Sequence, residues 1–133
     1  MLVSHCVKTW CASQQAFALS SAEAELYAMV EAVTRSKGLI TIAWEFGFRG
    51  LSNVVCLGTD SSAAKSFVAR RGLGRMRHLQ IRDLWLQKEM KDGLLEVEKV
   101  KGTENGSDLM TKVLSFDDIV SRLASMSLRL VTV

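Results

Sequence analysis

Four carboxylates have neighbours and spacing suited to chemistry. Glu23 and Glu25 lie two apart in Ser20-Ser21-Ala22-Glu23-Ala24-Glu25, Asp60 closes the apolar run Val54-Val55-Cys56-Leu57-Gly58-Thr59, and Asp108 follows the loop Lys101-Gly102-Thr103-Glu104-Asn105-Gly106. Residues two apart on a helix do not share a face, and these two glutamates fall on opposite flanks of the apolar stripe. Glu23 has an ordinary task as the reciprocal member of a capping box opened by Ser20. Glu25 has no such task, and a half-buried carboxylate there either pairs with a cation or binds a metal. Asp60 stands at the carboxyl end of a strand, where α/β sheets assemble their sites; its alternative is to cap the next helix, which Ser61 or Ser62 could do equally well. Asp108 is either a helix N-terminal acid favoured by the dipole or a further ligand. His5, Cys6 and Cys11 also cluster, but a structural zinc site takes about four ligands at set spacing, so they read as strand residues.

The elements that must position these groups are legible from periodicity. His5 to Ser13, with Val7, Thr9 and Trp10, suits a strand. Ala22, Leu26, Met29, Val30 and Val33 recur at helical spacing and predict a helix over about 21–36, with Gly38 as a stop. Leu39 to Phe48 is then a second helix or a continuation, closed by Gly47 and Gly50. The continuous apolar run Asn53 to Asp60 predicts a strand buried on both faces, as in a parallel sheet. Ser61 to Ala69 reads as helix, Gly72 and Gly74 break the chain, and His78 to Lys91 reads as helix capped by Gly93. Leu94 to Val100 reads as a further strand, and Ser107 to Met110 as a helix start. Phe116, Ile119, Val120 and Leu123 outline an amphipathic C-terminal helix at about 115–130, with Ser115 and Asp118 spaced as a cap. Trp10, Trp44 and Trp85 read as core residues. Strands alternating with helices predict an α/β or mixed α+β layered domain.

Composition bounds the rest. At 133 residues the expectation is a single domain spanning 1–133, and 48% apolar against 23% charged residues excludes a core-poor disordered tail. The longest apolar stretch, Gly38 to Phe48, is interrupted by Glu45 and falls short of the roughly 20 residues that cross a bilayer. Met1 to Trp10 has neither a basic leader nor an apolar run of signal-peptide length, so an intracellular location is expected. Three cysteines without a CxxC spacing argue for reduced thiols. The net charge of +3 hides a cluster: Lys65, Arg70, Arg71, Arg75, Arg77 and Arg82 fall in Ser61–Arg82, which holds no acid. Such a cluster is either a footprint for phosphates or a solvated basic loop.

Four blocks in this order, Ala18-Leu19-Ser20-Ser21-Ala22-Glu23-Ala24-Glu25-Leu26-Tyr27-Ala28, Thr59-Asp60-Ser61-Ser62-Ala63-Ala64, Arg75-Met76-Arg77-His78-Leu79-Gln80-Ile81-Arg82 and Ser107-Asp108-Leu109-Met110-Thr111-Lys112, closely resemble the C-terminal ribonuclease H domain in the polyprotein of copia-type retrotransposons. The resemblance covers most of the chain from about His5. It implies a mixed sheet packed with helices and an endonuclease that cuts the RNA strand of an RNA:DNA hybrid with two divalent cations. It also implies catalytic and metal-binding roles for Glu25, rather than Glu23, and for Asp60 and Asp108. Hard Mg²⁺ takes oxygen ligands, and two ions about 3.5–4 Å apart can hold the attacking and departing oxygens of a phosphodiester. Arg75, Arg77, His78 and Arg82, with Arg70 and Arg71 beside them, match a segment facing the nucleic acid, which is met through phosphates and 2′-hydroxyls. His78 has a packed or capping role as its alternative.

Two features depart from the family pattern. The loop before Asp108 carries Lys101-Gly102 where family members tend to have Pro. The family also draws a fourth acid from a first, central strand, and Met1 to Ala22 contains no Asp or Glu. The resemblance therefore implies an incomplete sheet with its first strands missing, edges open to pairing with another chain, and a remnant inactive alone. The alternatives are an active Mg²⁺-dependent hybrid endonuclease completed by a further segment or partner, and a non-catalytic nucleic-acid-binding module.

Overall fold

The computed structural model describes residues 6–14, 17–72 and 81–131, with the side chains of 81 and 82 left aside. It is built of helices and strands, an α/β arrangement in the general sense. The chain divides into two compact units, Gln14–Lys99 and the described parts of Met1–Ser13 with Val100–Val133.

The larger unit begins with helix α1, Ser21–Glu45. Ser20 caps it, its hydroxyl accepting the Glu23 N–H at 3.2 Å, while the Glu23 carboxylate accepts the Leu19 N–H at 2.8 Å and the Tyr27 hydroxyl at 2.5 Å. The expected capping box forms, with its return bond moved one residue outward. Leu26, Met29 and Val33 on the apolar stripe are buried, as their spacing requires. Gly38 does not stop the helix. Its penalty inside a helix is only about 1 kcal/mol, and Leu39 and Ile40 continue the hydrogen-bonded turns, so the 25-residue element runs on as one. The stop is Gly47, at φ +91°, where the Phe48 N–H reaches Ala43 O and the Gly47 N–H reaches Trp44 O. These two bonds make a Schellman ending, which needs the left-handed conformation that glycine adopts without strain.

Strand β1, Val55–Thr59, pairs in parallel with β2, Leu95–Lys99, in the register Val55↔Leu95 to Thr59↔Lys99. A parallel pair needs a long crossover, here supplied by α2, Ser62–Ala69, and α3, Ile81–Lys91. Gly93, at φ +72°, ends α3 as expected, again with both Schellman bonds. The core of this unit gathers Leu26, Met29 and Val33 of α1, Val55 of β1, Phe67 and Val68 of α2, Leu86 of α3, and Leu95 and Val97 of β2. Trp85 packs against it and Trp44 is half-buried, its indole N–H donating to Leu51 O at 3.3 Å.

β1 is not buried on both faces, contrary to the expectation from its apolar run. Val55 and Thr59 are buried while Cys56 and Gly58 are exposed. The helices cover one face, and the other presents Cys56 beside Glu96, its partner in register. Among the described residues β1 and β2 pair only with each other, so each keeps an outer edge.

The smaller unit holds two 3₁₀ turns, Gly102–Glu104 and Gly106–Met110, and helix α4, Phe116–Ser125. Ser107–Met110 is therefore a tight turn and not the start of a longer helix. Ser115 caps α4, its hydroxyl accepting the Asp118 N–H at 3.2 Å and donating to the Asp118 carboxylate at 2.6 Å, which bears out the expected cap. No strand forms over residues 6–13, because a strand exists only through a ladder partner and the described residues supply none. Trp10, expected in a core, is 37% exposed on this irregular segment. Cys6, Cys11 and Cys56 are all free thiols.

Candidate carboxylate site and basic segment

The site of interest in the larger unit is built where α1 passes the carboxyl end of β1. The period-2 alternation of β1 turns Thr59 inward, where it is 2% exposed. Its hydroxyl donates to Glu25 Oε1 at 2.9 Å and accepts the Ser61 N–H at 3.1 Å. Glu25 is thus half-buried on α1 and tied to the residue that directly precedes Asp60. Asp60, also half-buried, is spared from capping, because the Ser61 hydroxyl accepts the Ala64 N–H at 3.2 Å and caps α2 itself. Lys99, opposite Thr59 in register, donates to Ser62 Oγ.

The two sequence-expected acids of this unit are therefore brought to the same strand end. Among the described residues neither carboxylate is in an ion pair, and carboxylate oxygens free of a cationic partner are the donor type that a hard divalent cation takes. By donor type alone Glu25 and Asp60 suit such an ion. No three His, Cys, Asp or Glu among the described residues group closely enough to hold a metal.

Asp108 belongs to the smaller unit, where its surroundings differ. It is buried in the second 3₁₀ turn, with Lys112 Nζ 2.9 Å from one carboxylate oxygen and Arg122 Nη2 3.6 Å from the other. Arg122 is itself buried, and its guanidinium donates to Asn105 O at 3.2 Å and Gly102 O at 3.3 Å. The arginine therefore ties both 3₁₀ turns to α4, and its charge is balanced by Asp108 and, at 3.7 Å, by Asp118. Burying an arginine is tolerated only with partners of this kind.

Of the basic segment, Arg70 and Arg71 are described and exposed, just past the end of α2. The Arg70 guanidinium lies 5.2 Å from the centre of the Phe67 ring, within cation–π range. Gln87 on α3 holds this turn: its amide donates to Phe67 O at 2.9 Å and Gly72 O at 3.0 Å, and accepts the Gly72 N–H at 2.8 Å. Arg75, Arg77 and His78 lie outside the described residues, as does the Arg82 side chain.

Sequence reasoning missed Thr59 and Gln87. Thr59 carried a usable signal, as a polar residue at an inward position of the alternation Val55, Leu57, Thr59, since a buried hydroxyl requires a partner. Gln87 carried none, being one polar residue among several on α3. No helix among the described residues is long and apolar enough to cross a membrane. Comparison with models of known protein families, with curated proteins and with solved structures gives no match.

Proposed function

We propose that the chain is a ribonuclease-H-like remnant of a copia-type retroelement, which binds RNA:DNA hybrids through its basic segment and does not cut them as an isolated chain. The observation that carries the reading is the strand-end pairing of Glu25 with Thr59 beside Asp60, which joins two of the sequence blocks behind the resemblance. In the complete family the cations activate water and stabilise the leaving oxygen. Here Glu25 and Asp60 are the residues that would hold one Mg²⁺ ion. The engagement of the third acid, Asp108, by Lys112 and Arg122 supports inactivity, because those cations compete for the charge an ion would need. The exposed guanidinium groups of Arg70 and Arg71, on a turn fixed by Gln87, suit phosphate contact without base reading.

The experiment is a titration of a short RNA:DNA duplex across a salt series. Replacing Arg70, Arg71, Arg75 and Arg77 together with Gln is expected to weaken binding and to make the slope of log K against log salt shallower by about three to four, at about 0.9 per lost phosphate contact. An unchanged slope removes the segment from the interface. The second reading, a binding module whose acids are purely structural, is favoured by the buried ion pair of Asp108 with Arg122. It requires that Glu25→Gln and Asp60→Asn leave both hybrid binding and cation binding untouched.

A further inference from the structure

The Thr59 hydroxyl makes two hydrogen bonds and its one donor hydrogen is spent. Its single hydrogen goes to Glu25 Oε1, and it accepts the Ser61 N–H. The bond to Ser61 is a local one, of the kind Ser and Thr hydroxyls can make to the backbone N–H two residues on. The bond to Glu25 is of another kind, because it reaches a carboxylate 34 residues away on a different element. A half-buried glutamate has three side-chain torsions, and the rotamer it takes decides where its charge lies. Holding one oxygen at the strand end leaves Oε2 as the oxygen available there.

We infer that Thr59 is a positioning residue, whose hydroxyl fixes the Glu25 carboxylate beside Asp60 so that both acids present oxygen to one divalent cation. The inference rests on the reading of Glu25 and Asp60 as the cation ligands. A hydrogen bond that orients a ligand is commonly worth about 10- to 100-fold in metal affinity. Valine has the shape of threonine without the hydroxyl, and serine keeps the hydroxyl without the methyl.

The test is Mn²⁺ binding to the full chain, read as loss of the free-ion signal in electron paramagnetic resonance, with thermal melting as the control for folding. Thr59→Val is expected to weaken Mn²⁺ binding by about tenfold, with Thr59→Ser unchanged from the parent and Glu25→Gln and Asp60→Asn both weakened. If the valine chain fails to fold, Thr59→Cys takes its place, since the thiol is of similar size and a weak donor. Valine, or cysteine in its place, binding as the parent does while Glu25→Gln and Asp60→Asn still weaken would overturn the assignment of Thr59 and leave the carboxylate site standing. Serine falling together with valine would equally overturn it, because the lost methyl and not the hydroxyl would then be responsible. A parent chain that takes up no Mn²⁺, or one whose uptake ignores both acid substitutions, would remove the carboxylate site and the role of Thr59 with it.

Discussion

Asp108 and Arg122 show how one residue type can serve two purposes that sequence cannot separate. An acid behind a glycine-bearing loop is compatible with a metal ligand, yet this carboxylate neutralises a buried guanidinium donated by a helix that follows it. Removing its charge leaves the buried arginine with Asp118 as its acidic partner, so Asp108→Asn is expected to lower the stability of this unit by roughly 1–3 kcal/mol. The double substitution Asp108→Leu with Arg122→Met should recover much of that loss; hydrogen exchange of the α4 amides reads both. Cys56 gives a second local consequence. Slight burial together with the Glu96 and Glu98 carboxylates pushes its thiol above the ordinary range, so less thiolate exists at any given pH. Glu96→Gln lowers that pKa toward its usual value and is expected to speed alkylation of Cys56 at about pH 8, with the gain vanishing at strongly alkaline pH. Mass-spectrometric counting of label at Cys56 checks it. Neither partner was legible beforehand, because cross-strand register and the return of α4 are both long-range facts.

Local signals predicted the elements well wherever the physics is local. Ser20 and Ser115 cap the helices that their boxes announced, and Gly93 ends α3, because these bonds span only a few residues. The signals failed where a competing long-range term decides. Gly38 read as a stop of α1 with continuation as the alternative, and the helix continues, because a glycine's cost is small beside the packing of a continuous helix. A Cβ at Gly38 would meet nothing within 4 Å, so Gly38→Ala is expected to raise stability by about 0.5–1 kcal/mol, read as a shift of the urea midpoint at constant m. Ser127 presents the opposite case. It holds the left-handed position, at φ 57°, after α4, with its N–H on Ala124 O and the Leu128 N–H on Leu123 O. Ser127→Gly should stabilise the end of α4 by about 1 kcal/mol, visible as slower exchange of the last-turn amides. The strand expected before α1 failed for a related reason, since alternation proposes a strand but only a neighbouring ladder makes one.

Across the molecule, the sequence announced the larger unit better than the acids' surroundings. The apolar periodicities of α1, β1 and β2 place their residues in one core, and the corner at Asp60 falls at the strand end as read. What the sequence could not convey is which charges each acid meets: Glu25 meets a hydroxyl, Asp60 is spared its capping duty, and Asp108 meets two cations. These differences separate two strand-end acids that are in no ion pair among the described residues from an acid already compensated, and they underlie the proposal that the chain binds hybrids without cutting them. Incubating the isolated chain with an end-labelled RNA:DNA duplex in millimolar Mg²⁺, beside its Asp60→Asn variant, tests that claim most directly. The account predicts intact RNA with both proteins, whereas cleavage by the parent that vanishes on Asp60→Asn would contradict it.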